Sequence, residues 1–151
     1  MPAHSLHLLV IDDLQEEAEL FRSAVEEVVP EVRLSSCTTA EQALALLAHD
    51  DDRPDLILLD VNLPGVSGLE LLQRIKTDPA LQCLPVIMMS TSSMPSQITA
   101  CYRGYANAFL VKPPGFQPLM EAVEGLIRFW SNPALRLPPA AIHRRRSTPF
   151  S

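Results

Sequence analysis

The sequence lacks several features that define whole classes of protein. No run reaches the roughly 18 apolar residues that a membrane-spanning helix needs, and the N-terminus shows no basic segment followed by a long apolar stretch. We therefore expect no membrane segment and no secretory signal, which makes the cytoplasm the expected location. The three cysteines, Cys37, Cys83 and Cys101, form no Cys-x-x-Cys motif, which argues against a disulfide framework or a zinc site.

The sequence also lacks an excess of positive charge. Its formal net charge is −6 and its isoelectric point is near 5.1, whereas domains that bind nucleic acid carry a basic face. We therefore expect protein partners and no nucleic acid. A length of 151 residues favours a single domain.

Short apolar segments alternate with helical patterns along the chain. The segments 6–11, 32–34, 56–59, 86–89 and 108–111 read as strands, and helices are predicted at 16–29, 40–47, from Ser67 onward, at 96–103 and at 116–130. Thr39 is predicted to cap the second helix, with Gln42 completing a capping box. Nearly continuous apolar strands that alternate with helices predict an α/β fold, a parallel sheet covered on both faces.

Right-handed crossovers leave few topologies for such a sheet, and we expect the flavodoxin-like, doubly wound order 2-1-3-4-5. In that order the ends of strands 1 and 3 lie side by side. Asp12 and Asp13 directly follow strand 1, Asp60 follows strand 3, and Lys112 follows strand 5. The topology therefore predicts that three carboxylates and one ammonium group converge at one edge of the sheet.

Carboxylates that converge in this way repel each other. Two of them about 4 Å apart repel by roughly 4 kcal/mol at an effective dielectric constant near 20. Mg²⁺ relieves such repulsion, and it prefers one or two carboxylates together with phosphate oxygens and water. The pattern predicts an acidic Mg²⁺ site with a lysine beside it, suited to a phosphoryl group.

Four motifs occur in order along the chain: Val-Ile-Asp-Asp at 10–13, Leu-Leu-Asp-Val-Asn-Leu-Pro-Gly-Val-Ser-Gly at 58–68, Pro-Val-Ile-Met-Met-Ser at 85–90 and Lys-Pro at 112–113. With these motifs the sequence resembles the receiver domain of two-component response regulators, over residues 6–130. Within that family it is similar to single-domain regulators paired with bacterial phytochrome histidine kinases. The segment 84–92, the Phe-Trp pair at 129–130 and the proline-bearing tail carry this finer resemblance.

The resemblance implies a role for each acidic residue. Asp60 would be the nucleophile that accepts a phosphoryl group from a kinase phosphohistidine. Asp12, Asp13 and Asp60 would hold Mg²⁺, together with the backbone carbonyl of Asn62. The protein would be a phosphoacceptor that takes part in its own phosphotransfer and autodephosphorylation, and not an enzyme with a separate substrate.

Four further residues receive roles from the resemblance. Lys112 would pair with Asp60 and then with the phosphoryl oxygens, and the hydroxyl group of Ser90 would donate a hydrogen bond to one of them. Phe109 occupies the aromatic switch position, although it lacks the hydroxyl group of a tyrosine. Thr91 is bulkier than the small residue that many receivers carry there, and it could gate the access of water or phosphodonor to Asp60.

Simpler interpretations of the same residues stay open at this point. Asp12 or Asp13 could merely cap the first helix, Asp60 could be a turn residue, and the chain could be an inactive receiver that only docks or dimerises. Other enzyme classes fit less well. Asp12 and Asp13 would repel a flavin phosphate, an aspartyl phosphatase needs an acid where Asn62 stands, and no Gly-Lys-Ser/Thr triplet of a P-loop occurs.

The remaining predictions concern domain organisation and assembly. Residues 1–131 would form the receiver domain, and residues 132–151 a proline-bearing tail too short for an effector domain. Phe129 and Trp130 are adjacent on the last helix and point about 100° apart, so we expect one of them to remain exposed as an interface anchor. We predict a homodimer through helix 4, strand 5 and helix 5, and a phytochrome-type sensor histidine kinase as partner.

Overall fold

A computed structural model describes residues 6–137 of this chain. Residues 138–151, most of the predicted tail, lie outside the described residues. The last helix ends at Trp130, and no helix or strand follows it up to residue 137. The domain boundary after residue 131 stays a prediction.

Five parallel strands form one sheet in the order β2-β1-β3-β4-β5. Their bounds are β1 His7–Ile11, β2 Arg33–Cys37, β3 Leu56–Asp60, β4 Val86–Ser90 and β5 Ala108–Val111. The α/β fold and the flavodoxin-like order predicted from the sequence are confirmed. Strand β2 begins and ends later than the predicted 32–34, because it is an edge strand in which Ser35 is half-buried and Ser36 is exposed, so that neither carries an apolar signal.

Of the five α-helices in residues 6–137, four connect consecutive strands and the fifth follows the last strand. Their bounds are α1 Gln15–Val28, α2 Ala40–Leu47, α3 Gly68–Thr77, α4 Pro95–Arg103 and α5 Phe116–Trp130. A short 3₁₀ helix, Asp50–Asp52, occupies the predicted polar loop before β3. Within residues 6–137 no helix is both long enough and apolar enough to cross a membrane.

Side chains alternate between the two faces of the sheet and build two apolar clusters. Leu9 and Ile11 of β1 face the cluster beneath α2, α3 and α4, whereas Leu8 and Val10 face the cluster beneath α1 and α5. All four are fully buried. Burying one such side chain contributes about 1.5–3 kcal/mol, so the register of β1 is fixed and the position of the acids that follow it is fixed with it.

Side-chain hydrogen bonds cap the starts of two helices, α2 and α3. The side chain of Thr39 accepts from the backbone N–H of Gln42, and Ser67 accepts from that of Glu70, so both N-caps form. The predicted capping box is wrong in one detail. The Gln42 side chain accepts from the backbone N–H and the hydroxyl group of Thr38 and not from the N–H of Thr39.

Candidate functional site

The carboxyl edge of the sheet collects the predicted site residues. Asp12 and Asp13 follow β1, Asp60 ends β3, Ser90 ends β4 and Lys112 follows β5. Because every strand is parallel, all of these ends lie at the same edge. The fold thus brings together side chains that lie up to 100 positions apart along the chain.

Three carboxylates form the centre of the site. One oxygen each from Asp12, Asp13 and Asp60 lies within 4.8 Å of the others, and together they could hold a metal ion. Asp12 is 1% exposed and Asp60 is 5% exposed, whereas Asp13 is exposed. Two buried carboxylates and one exposed carboxylate of this kind suit Mg²⁺, which keeps part of its water shell.

Backbone hydrogen bonds orient the two buried acids. The N–H of Leu14 donates to Asp12 Oδ1 at 2.9 Å, and the N–H of Asn62 donates to Asp60 Oδ1 at 2.8 Å. Helix α1 begins after Leu14 without a side-chain cap. The interpretation of Asp12 or Asp13 as a cap for this helix is therefore wrong. Asn62 itself is exposed, and the role of its carbonyl as a metal ligand stays a prediction.

Lys112 reaches into the centre of this acidic group. Its Nζ lies 2.7 Å from Asp60 Oδ2, 2.7 Å from Glu17 Oε1 and 3.3 Å from Asp12 Oδ2. Lys112 is only 6% exposed. Among residues 6–137 no second basic side chain forms an ion pair with these carboxylates, so one positive charge faces several negative ones. A dication fits this excess of negative charge.

Burial and neighbouring charges together shift the pKa values of Asp12 and Lys112. Burial raises the pKa of Asp12 to about 6, against the opposing effects of the Leu14 N–H and the Lys112 ammonium group. Burial alone would lower the pKa of Lys112, but hydrogen bonds to Asp60 and Glu17 outweigh it and raise that pKa above its ordinary value. The lysine therefore stays charged, while Asp12 is costly to ionise in the absence of a further cation.

Ser90 and Thr91 lie at the end of β4. Ser90 is buried, and its hydroxyl oxygen accepts from the N–H of Ser92 at 3.0 Å. The backbone N–H of Lys112 donates to the Ser90 carbonyl at 2.7 Å and holds the two strand ends together. Thr91 is exposed and lines a groove beside the site. The roles of both hydroxyl groups toward a phosphoryl group stay predictions.

A close approach of the backbone fixes the loop after β3. The N–H of Gly68 donates to the Val61 carbonyl at 3.0 Å, and a Cβ atom at position 68 would lie 2.1 Å from the Asp60 carbonyl oxygen. Only glycine fits at this contact, because a side chain would displace the backbone that carries Asp60.

A cavity of about 660 Å³ opens beside Lys112, between α1 and the segment that joins β5 to α5. Its wall on α1 is acidic and its opposite wall is apolar. The lining side chains include Glu16, Glu17 and Glu19 on the first wall and Pro113, Pro114 and Phe116 on the second. We call this cavity the α1–α5 groove.

The predicted switch and interface residues lie away from the acids. Phe109 is half-buried against the core cluster beneath α2, α3 and α4. Phe129 is 59% exposed, whereas Trp130 packs against the cluster beneath α1 and α5, with the two rings edge to face at 5.7 Å. Phe129 is thus the member of the pair that lies on the surface. The switch and interface roles stay predictions.

Sequence reasoning missed one residue of the site. Glu17 lies in the first turn of α1 and pairs with Lys112, yet it reads in the sequence as one of two adjacent acids that merely favour the positive end of a helix. The available signal was its position four residues after Asp13, which is about one helical turn from the carboxyl edge.

Comparison with known proteins agrees with this geometry. Residues 8–124 match the family model of the response regulator receiver domain. Response regulator Rcp1 of Synechocystis sp. is 30% identical over 128 residues, which cover 82% of this chain and 87% of that protein. The solved structure of the phosphorylated cyanobacterial phytochrome response regulator RcpA is similar with a TM-score of 0.85 and 29% identity, covering 90% of this chain and 100% of that one. The Mn²⁺-bound form of Rcp1 gives a TM-score of 0.82 at 29% identity, covering 89% and 99%.

Proposed function

This chain belongs to the response regulator receiver domain family, and on that premise we propose that it is a single-domain response regulator phosphorylated on Asp60 by a sensor histidine kinase. One observation carries the proposal. Asp60 lies at once within 4.8 Å of the oxygens of Asp12 and Asp13 and 2.7 Å from the ammonium group of Lys112. A nucleophile, a metal-binding pair and a fixed positive charge are the parts that phosphoryl transfer needs.

The side chains divide the chemistry between them. A carboxylate oxygen of Asp60 attacks the phosphorus atom of the donor, the bond from phosphorus to the donor imidazole nitrogen breaks, and its electron pair returns to that nitrogen. Lys112 donates hydrogen bonds to the phosphoryl oxygens in place of its contact with Asp60. Asp12, Asp13 and Asp60 would hold Mg²⁺, which supplies positive charge against the developing negative charge.

Loss of the phosphoryl group follows from the same site. An acyl phosphate on Asp60 hydrolyses when water reaches the phosphorus atom, and this resets the regulator without a separate active site. Thr91 is exposed at the groove beside Lys112. We propose that its side chain restricts the path of that water and of small phosphodonors.

We propose a phytochrome-type histidine kinase as the upstream partner. The similar protein RcpA supports this, since it is named as a phytochrome response regulator and its similarity to this chain covers 90% of the chain. The α1–α5 groove offers the donor a surface beside Lys112. A kinase that uses ATP acts in the cytoplasm, so the proposal places this protein there as well.

Output through a homodimer completes the proposal. Strand β5 is an edge of the sheet, with α4 on one face and α5 on the other. Each of these three elements carries an exposed apolar side chain: Tyr102 is 49% exposed, Val111 38% and Phe129 59%. We propose that these side chains meet those of a second copy across a two-fold axis, so that the same patch serves both subunits. Movement of Phe109 would report the state of Asp60 to this surface.

Phosphotransfer profiling tests the function. Purified sensor histidine kinases, including phytochrome-type kinases, are first labelled with radioactive ATP and are then mixed with this protein and Mg²⁺. We expect rapid transfer from a phytochrome-type kinase and loss of transfer when a chelator removes the metal. Absence of transfer from every kinase, and from a small phosphodonor, would favour the docking module instead.

A further inference from the structure

Lys112 distributes one positive charge among carboxylates of three different elements. Asp12 follows β1, Asp60 ends β3 and Glu17 lies in α1. An ammonium group has three protons to donate, and these three acids accept at 3.3, 2.7 and 3.0 Å. The hydrogen-bonding capacity of Lys112 is therefore filled before any phosphoryl group arrives.

Glu17 differs from the other two acids. Glu17 is not one of the three carboxylates that could hold a metal ion, and it is not the nucleophile. Its side chain is 17% exposed, on the side of Lys112 that faces the groove. Its two oxygens lie 2.7 and 3.0 Å from Nζ, so the contact is as short as that of Asp60 itself. A carboxylate this close attracts the ammonium group strongly in a partly buried site.

We propose that Glu17 is a positioning residue that competes with the phosphoryl group for Lys112 and so weakens the capture of anionic phosphodonors. This inference rests on the proposed function. Glu17 draws Nζ toward α1 and offsets part of its charge. A phosphoryl oxygen must displace Glu17 or share the ammonium group with it.

The contact between Glu17 and Lys112 links helix α1 to the phosphorylation site. Of the acids that line the α1–α5 groove, Glu16, Glu17 and Glu19, only Glu17 contacts Lys112 among the described residues. The substitution Glu19→Gln removes one negative charge from α1, as Glu17→Gln does, but it leaves the contact with Lys112 in place. It is therefore a matched control. Glutamine preserves the shape of the side chain and its hydrogen-bond acceptor.

The test measures phosphorylation by acetyl phosphate with saturating Mg²⁺ in wild type, Glu17→Gln and Glu19→Gln. In Glu17→Gln we expect the half-saturating concentration of acetyl phosphate to fall several-fold. The maximal rate of phosphorylation should change by a smaller factor. Glu19→Gln should stay close to wild type. A purely structural role for Glu17 would lower the thermal midpoint and would not produce this split between half-saturation and maximal rate. Glu17→Ala, which also removes the acceptor, should show at least as large a fall.

Two results would overturn the inference. Equal half-saturation in all variants would mean that Glu17 does not compete for Lys112, and slower phosphorylation of Glu17→Gln would mean that Glu17 holds the lysine in its productive position. Both results leave the proposed function intact. Failure of the wild type to accept a phosphoryl group would instead refute the proposed function, and the inference with it.

Discussion

Replacing Asp12 by asparagine should stabilise the metal-free protein. Asp12 is 1% exposed, and burial raises its pKa from an ordinary value of 3.8 to about 6. A difference of one pKa unit corresponds to about 1.4 kcal/mol, so the ionised carboxylate would destabilise the fold by about 3 kcal/mol at neutral pH. Asparagine removes this charge and keeps an oxygen for the N–H of Leu14.

The variant also loses an interaction. Lys112 gives up its charged partner at position 12, but this contact is the longest of its three, at 3.3 Å, and Asp60 and Glu17 remain. The pKa of about 6 already includes the attraction of Lys112, which by itself lowers that pKa, so this cost remains with the contact present. We therefore expect a gain of about 2–3 kcal/mol in the free energy of unfolding, measured with urea at pH 7 in the presence of a chelator.

The pH dependence of stability provides a second test of whether Asp12→Asn stabilises the protein. Because the pKa of Asp12 is raised in the folded state, its favourable contribution is fully present below pH 3.8 and is lost as the pH rises through about 6. The advantage of Asp12→Asn should therefore shrink as the pH falls toward 4. Asp13→Asn is the control, since Asp13 is exposed and should give a smaller gain. An Asp12→Asn variant that is no more stable than wild type at pH 7 would refute the reasoning.

Two further predictions concern access and assembly. Thr91→Ala should open the path to Asp60, so that phosphorylation by small donors and hydrolysis of the acyl phosphate both become several-fold faster; equal phosphoryl lifetimes would show that Thr91 is no gate. Phe129→Ser should weaken the dimer by roughly 2 kcal/mol, about thirtyfold in Kd, as expected for an aromatic anchor. Phe116→Ser is the matched control, since Phe116 is 60% exposed and Phe129 59% but Phe116 lies beside the α1–α5 groove. Light scattering that finds a monomer for the wild type, with and without phosphodonor, would contradict the assembly model.

The sequence predicted the sheet and its acidic edge because both depend on strong local patterns. Apolar runs such as 56–59 are buried on both faces, and the residue that ends such a run must lie at the edge of the sheet. The position of Asp60 and Lys112 at one edge then follows from the parallel topology. Their separation of 2.7 Å does not, since it depends on the register of β3, β4 and β5 and on the rotamer of the lysine.

The parts that the sequence did not predict depend on three-dimensional direction. Glu17 points from α1 toward Lys112 across 95 positions of the chain, and no local pattern encodes that direction. The predicted strand 32–34 is shorter than β2, because Ser35 and Ser36 give no apolar alternation. The side chain of Gln42 accepts from the N–H of Thr38 and not from that of Thr39, so it does not close a capping box. The sequence does not distinguish between these two adjacent N–H groups.

The most direct test of the central claim is the intact mass of the wild type and of Asp60→Asn after incubation with Mg²⁺ and a small phosphodonor. Asparagine keeps the shape of the side chain and removes the nucleophilic carboxylate. We expect the wild type to gain the mass of one phosphoryl group and the variant to gain none. Equal labelling of both proteins would place the acceptor elsewhere and contradict the account.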